Sequence, residues 1–287
     1  MQLIKDKIAT ISTIKSEIVD ITPGMAESWM EKNIRNRKLK RSTIDAYARD
    51  MMAGNWKLTG DAIRFSASGR LIDGQHRLLA CMKADTSFRS FVLYGVSDDA
   101  QSVIDTNVTR SAADVLVLAG HRYAVRMAPA LRLLRDIENG STIPFNTTGS
   151  RRSTNAEIMD VIARHPHFVA SVALVDYAKP QGSHPTTLIV LHYIATHFLD
   201  QPEEAGNFVN VFKSGVPRYT GDAAHATRER LLRAKHERTR LSSSDQSMLM
   251  IQAWNNFHAR RQVSQVKIPN SVTIMGLDRN KLRKGKQ

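Results

Sequence analysis

The sequence predicts an α+β fold, a small mixed amino-terminal domain followed by an all-helical carboxy-terminal one. Apolar and polar residues alternate in the two-residue period of strands over Ala62–Ile72 and again over Phe88–Val96. Beyond Asp105 such alternation almost disappears and apolar residues recur at helical spacing instead. A length of 287 residues, at about 150 per domain, agrees with two domains. We place them at residues 1–108 and 109–287.

Each element has a local reason. Ser16 to Ile21 reads as a strand. Thr22 can cap a helix with Pro23 at its first position, which puts Met25, Trp29 and Met30 on one face and stops near Asn33. A basic connector follows, and Ser42 is placed to cap a second helix carrying Ile44, Tyr47, Ala48 and Met51, with Gly54 as its left-handed terminator. Ala62 to Phe65, a turn at Ser66 to Gly69, and Arg70 to Ile72 form a hairpin. Asp73 and Gly74 then lead into a helix ending near Lys83, Phe88 to Val96 is a strand, and Asp98 opens a helix to about Asp105. Helices are expected over 111–119, 124–138, 155–162, 185–198, 203–212, 227–236 and 244–260. Residues 140–152 form a loop, and the tail with Lys281, Arg283, Lys284 and Lys286 is frayed.

Composition narrows the function. Forty-one Lys and Arg against 27 Asp and Glu give a net charge of +14, a field that attracts polyanions. Polyanions are the expected partners, and a homo-oligomer is left open. A single cysteine, Cys81, excludes an intrachain disulfide framework and reads as a small core residue. The apolar stretches fall short of the ~18 residues of a membrane span, and residues 1–10 lack the apolar run of a secretory signal. A cytoplasmic protein is expected.

The chemistry concentrates between Arg70 and Ala80. A glycine turn between a strand end and a helix start presents backbone N–H groups and the positive end of the helix dipole, which suits an anion. Gly74 would let the backbone approach a phosphate, with His76 and Arg77 as side-chain donors. Asp73 could orient His76 or hold Mg²⁺ beside the phosphates. The same residues also suit a purely structural turn, with Asp73 as cap and Arg77 as an ion pair.

Gly60-Asp61-Ala62-Ile63-Arg64-Phe65 followed by Gly69-Arg70-Leu71-Ile72-Asp73-Gly74-Gln75-His76-Arg77-Leu78-Leu79-Ala80 resembles the D-G-Q-H-R variant of the ParB/sulfiredoxin superfamily. Asn33-Ile34-Arg35-Asn36-Arg37 and Gly54-Asn55-Trp56 are also similar to the ParB-like proteins of bacteriophages and mobile elements, over roughly residues 15–110. The resemblance implies a ParB/sulfiredoxin-like fold whose turn grips nucleotide phosphates through Gly74, Gln75, His76 and Arg77. Arg37, Asp105 and Arg110 are secondary candidates for the pocket, and CTP or ATP with Mg²⁺ the implied cofactor. The host cell of a phage-encoded protein would then be bacterial. Gln75 stands where sulfiredoxin has its reactive cysteine, so a reductase is excluded. Neither the E-N-x-Q-R stretch of partition proteins nor a clear helix-turn-helix after the nucleotide domain is found, which counts against a partition clamp. A nucleotide-binding, DNA-associated protein is the leading expectation. The alternatives are an enzyme on the same turn (phosphotransferase, triphosphate hydrolase, nuclease or nucleotide-modifying enzyme) with Asp73, His76 and Arg77 catalytic, or an interaction protein with a vestigial pocket.

Two basic runs could track a nucleic-acid backbone: the connector Arg35, Arg37, Lys38, Lys40 and Arg41, and the helix around Arg228, Arg233, Lys235 and Arg240. The histidines lack the spacing of a zinc helix and read as structural. Trp29, Trp56, Trp254 and Phe257 read as core aromatics.

Overall fold

The computed structural model describes residues 14–34, 36, 39–98, 111–145, 153–239 and 241–285. Beyond Asp98 the helix expected to about Asp105 lies outside them. The chain divides into two compact units, residues 1–109 with 147–156, and residues 110–146 with 157–287.

The first unit runs β1 (Lys15–Ile21), α1 (Pro23–Met30), α2 (Arg41–Met52), β2 (Ile63–Ser66), β3 (Leu71–Asp73), α3 (Gln75–Ala84) and β4 (Phe88–Val96). The strands form one mixed sheet in the order β1-β4-β2-β3. β1 lies antiparallel to β4, with Ser16 opposite Leu93 and Asp20 opposite Arg89. β2 runs parallel to β4 and antiparallel to β3. The hairpin β2–β3 therefore needs a crossover to reach β4, and α3 supplies it.

Local chemistry explains the boundaries. Thr22 caps α1, its hydroxyl accepting the Met25 N–H at 3.3 Å, with Pro23 at the helix start. α1 ends at Met30, earlier than expected, because the Lys32 carbonyl leaves the helix to accept the Leu71 N–H at 3.0 Å. α2 begins at Arg41 with Lys40 as its cap, so Ser42 lies inside the helix and does not cap it. Lys40 is held there by tertiary contact, which overrides the side-chain preference at the cap. Its N–H donates to Nε2 of His76 at 3.0 Å.

The core of this unit lies between the sheet and the helices and includes Ile21, Ala48, Met51, Ile63, Phe65, Leu78, Cys81 and Val92. Trp29 meets Phe65 edge-on, and Trp56 does the same with Phe88 and Tyr47. These aromatics pack the core as the sequence implied. Cys81 is fully buried, its thiol donating toward the carbonyls of Ile21 and Thr86. Burial, helped by the nearby Asp85 charge, pushes the thiol up to about 11 from 9.0. Since the thiolate is the reactive form, the native thiol is expected to react with an aromatic disulfide reagent about a hundredfold more slowly than the thiol of the denatured chain. Equal rates at neutral pH would show that Cys81 is open.

The second unit is helical: α4 (Ala112–Leu118), α5 (Ala124–Glu138), α6 (Asn155–Arg164), α7 (Phe168–Ala178), α8 (Pro185–His197), α9 (Pro202–Ser214), α10 (Ala223–His236), α11 (Ser243–His258) and α12 (Arg279–Lys284). Capping boxes open two of them, Ser111 with Asp114 on α4 and Ser242 with Asp245 on α11. α8 is apolar on nearly every face, so it must be enclosed. It packs against α5, α7, α9 and α11, with Leu188 to Leu191 and Tyr193 to Ala195 buried. Trp254 and Phe257 of α11 join Phe208 of α9 in an aromatic cluster.

Several expectations are corrected. α10 starts at Ala223, before Thr227, because the buried carboxylate of Asp222 accepts the Ala224 N–H at 2.8 Å and the Arg218 N–H at 2.9 Å. α7 was not expected at all. The tail segment Arg279–Lys284 is a capped helix rather than a frayed end, with Leu282 fully buried. Among the described residues, no single helix is long and apolar enough to cross a membrane.

Candidate functional site

The turn between β3 and α3 has the strand-glycine-helix order the sequence implied. Gly74 is the cap of α3, with φ 107° and ψ 0°, a backbone state that disfavours side-chain-bearing residues. A Cβ there would lie 2.3 Å from Cδ1 of the fully buried Ile63. The Gly74 carbonyl accepts the N–H groups of Arg77 and Leu78, which starts the helix.

The side chains of this turn are engaged within the protein. The Arg77 guanidinium donates to the carbonyl of Asp61 at 2.6 Å, to that of Ala62 at 2.8 Å, and to Oδ2 of Asp73 at 3.1 Å. The same Asp73 oxygen is bonded by Arg64 across the β2–β3 pair. Arg77 thus ties the approach to β2, the end of β3 and the first turn of α3 together. The fork expected to face phosphate meets these protein oxygens. Two guanidinium groups hold one oxygen of Asp73, the residue singled out as a general base or Mg²⁺ ligand. Among the described residues no group of three or more His, Cys, Asp and Glu could hold a metal.

His76 is 6% exposed and Gln75 4% exposed. Nε2 of His76 accepts the Lys40 N–H, so that nitrogen is not a proton donor to a phosphoryl oxygen. Oε1 of Gln75 accepts from Asn33 at 3.3 Å. Asn36 donates to Oδ1 of Asn33 at 2.5 Å and to the Leu71 carbonyl at 2.8 Å. Together these bonds strap the connector between α1 and α2 across the start of α3. The sequence singled out both segments, but nothing in either announces the two asparagines as the straps; their positions flanking Arg35 were the only signal.

The connector's Lys40 and Arg41 are exposed beside this strap. Arg35, Arg37, Lys38, Asp105 and Arg110 lie outside the described residues, as does Arg240. Of the second basic run, Arg233 and Lys235 are exposed near the end of α10. Arg228, also expected to contact nucleic acid, is bonded within the unit. Its Nε donates to the Phe212 carbonyl at 3.3 Å and its Nη1 to Glu229 at 2.6 Å. His192 shares a 2.9 Å hydrogen bond with Ser171, and burial, with the neighbouring His197, takes it down to about 4.

Set beside protein-family models, curated proteins and solved structures, the chain matches none of them.

Proposed function

We propose that this chain is a DNA-associated protein of the ParB/sulfiredoxin type whose first unit binds phosphate groups, as a nucleotide or a nucleic-acid backbone, where the basic connector crosses the start of α3. The hydrogen bond from the Lys40 N–H to His76 carries this reading. It anchors Lys40 beside the positive end of a helix, so that the fixed dipole and the exposed Lys40 and Arg41 act on one anion. Asp73, His76 and Arg77 serve as the frame of that site, with phosphate contact falling to Lys40, Arg41 and their basic neighbours in sequence. The net charge of +14 supports a polyanionic partner, and the exposed Arg233 and Lys235 give the second unit its own phosphate contacts. The bonded states of the three proposed catalytic residues favour binding over catalysis.

Thermal-shift titration with the ribonucleoside triphosphates, with and without Mg²⁺, tests the nucleotide, because a ligand that binds only the native state raises the melting temperature. Fluorescence anisotropy with duplex DNA tests the backbone. A Lys40→Ala/Arg41→Ala variant is expected to weaken binding about tenfold at low salt and to flatten its salt dependence by about two phosphate contacts. Binding to neither nucleotide nor DNA would overturn the proposal, and steady nucleotide turnover would overturn its non-catalytic part.

A further inference from the structure

We propose that the second unit carries a separate surface for single-stranded nucleic acid, centred on Tyr177 and the cavity between the end of α7 and the start of α8. This deepens the reading of a DNA-associated protein and rests on it. Tyr177 is 83% exposed near the end of α7, with Leu174 exposed one turn earlier on the same face. A ring so open offers a flat apolar surface to the solvent. Lys213, on α9, places its ammonium 5.8 Å from the ring centroid.

Beside it lies a cavity of about 350 Å³ with Val175 and Ile189 in its wall and Arg126, Lys179 and Gln181 among its polar groups, a volume in the range of small-molecule pockets. Lys179 is held in the left-handed region at φ 46°, where the chain leaves α7. Arg126 reaches Asp176 at 3.5 Å in an exposed pair, so these two charges offset each other and Lys179 supplies the positive charge at the rim. At the head of the same helix as Arg126, Arg122 sits 5.7 Å from the ring of Tyr123, which is itself held at φ 60°. The unit thus carries two tyrosines with a cation near the ring, Tyr177 with Lys213 and Tyr123 with Arg122, and Tyr177 directly follows Asp176 of the cavity lining.

That combination is what an unpaired strand recognises. Bases stack on aromatic faces, and the cations follow the phosphates. A duplex offers only its phosphates here, because its bases are stacked on one another. The cavity would take one base turned out of the strand.

Anisotropy with labelled oligothymidylate and with a duplex of equal length tests this on the full chain. Tyr177→Ala is expected to weaken single-strand binding about tenfold, to leave duplex binding and the melting temperature unchanged, and to be rescued by Tyr177→Phe. Lys179→Ala is expected to lower the salt slope for the single strand by about 0.7. If the unaltered protein binds duplex but not the single strand, or if Tyr177→Ala binds both as before, this surface is overturned while the DNA-associated reading stands. If it binds neither, both fall.

Discussion

Replacing Glu138 by alanine is expected to destabilise the second unit by about 3–5 kcal/mol, the range for breaking a buried ion pair by removing one partner. Glu138 ends α5 at 3% exposure, and the His165 side chain beside it is fully buried. Its Oε1 accepts from Nε2 of His165 at 2.7 Å and from Arg164 at 2.8 Å, while Oε2 accepts from Arg164 at 3.1 Å. Tyr193 of α8 lies 2.8 Å from the other ring nitrogen of His165, and burial with the Glu138 charge holds its hydroxyl protonated. The network also reaches α12, because Arg164 donates to the Arg283 carbonyl at 2.7 Å and Arg283 donates to the Glu138 carbonyl at 2.7 Å. One carboxylate thus joins α5, α6, α8 and α12. Without it, the buried imidazole loses its acceptor and Arg164 keeps only Asp160 and the Arg283 carbonyl, which outweighs the few tenths of a kcal/mol of a typical surface substitution.

The sign of the pH dependence follows from the same geometry. Burial raises the Glu138 carboxyl, but the hydrogen bonds from His165 and Arg164 and their charges more than offset it, so the group lies below its ordinary 4.5. A carboxyl depressed in the folded state contributes stability that is complete above its unfolded value and fades as pH falls through its folded one. The gap between the unaltered chain and Glu138→Ala is therefore expected to be full at neutral pH and to narrow below about pH 4.5. Urea unfolding at pH 7 and pH 4 measures both, with Glu138→Gln as the variant that keeps the shape and loses the charge. A gap that stays constant or widens in acid would place the stabilisation elsewhere.

How much of this was legible in the sequence depends on whether the cause was local. The hairpin, α5 and β4 lay where the pattern placed them, because alternation, helical spacing and turn glycines are properties of neighbouring residues. α7 escaped because Phe168–Ala178 is apolar on most faces and rich in β-branched valines, which leaves no helical stripe to find. α12 escaped because its only core contact is Leu282, inside a run of cations that reads as solvated. At the candidate site, the order strand, glycine, helix could be read directly. The fate of the side chains could not, since Arg77 is consumed by carbonyls many positions earlier, and His76 by a connector brought over it from the other side of the hairpin. Long-range satisfaction of donors decides whether a D-G-x-x-R turn is a grip or a frame, and no spacing rule encodes it.

Gly74→Ala is expected to weaken the first unit by about 2–5 kcal/mol, for two separable reasons. The backbone at φ 107° costs an L-residue about 1–2 kcal/mol. The added methyl also meets Cδ1 of Ile63 at 2.3 Å, and Ile63 has no exposed surface into which to retreat. Overpacking of a closed core adds about 1–3 kcal/mol. The steric part can be removed without touching the backbone part, since Ile63→Val deletes the clashing carbon and alone costs about 0.5–1.5 kcal/mol. In a double-mutant cycle the pair Gly74→Ala/Ile63→Val is expected to be more stable than the sum of the single losses predicts, with a coupling of about 1–2 kcal/mol of favourable sign. The loss in the double variant beyond that of Ile63→Val alone then measures the left-handed backbone. The turn would keep its strap, so the Lys40 to His76 contact and any phosphate binding should survive in the double variant once the melting temperature recovers. Additive losses would mean that Ile63 yields freely and that Gly74 is required for its backbone alone; phosphate binding lost in a folded double variant would mean that the glycine is needed for the approach of the ligand itself.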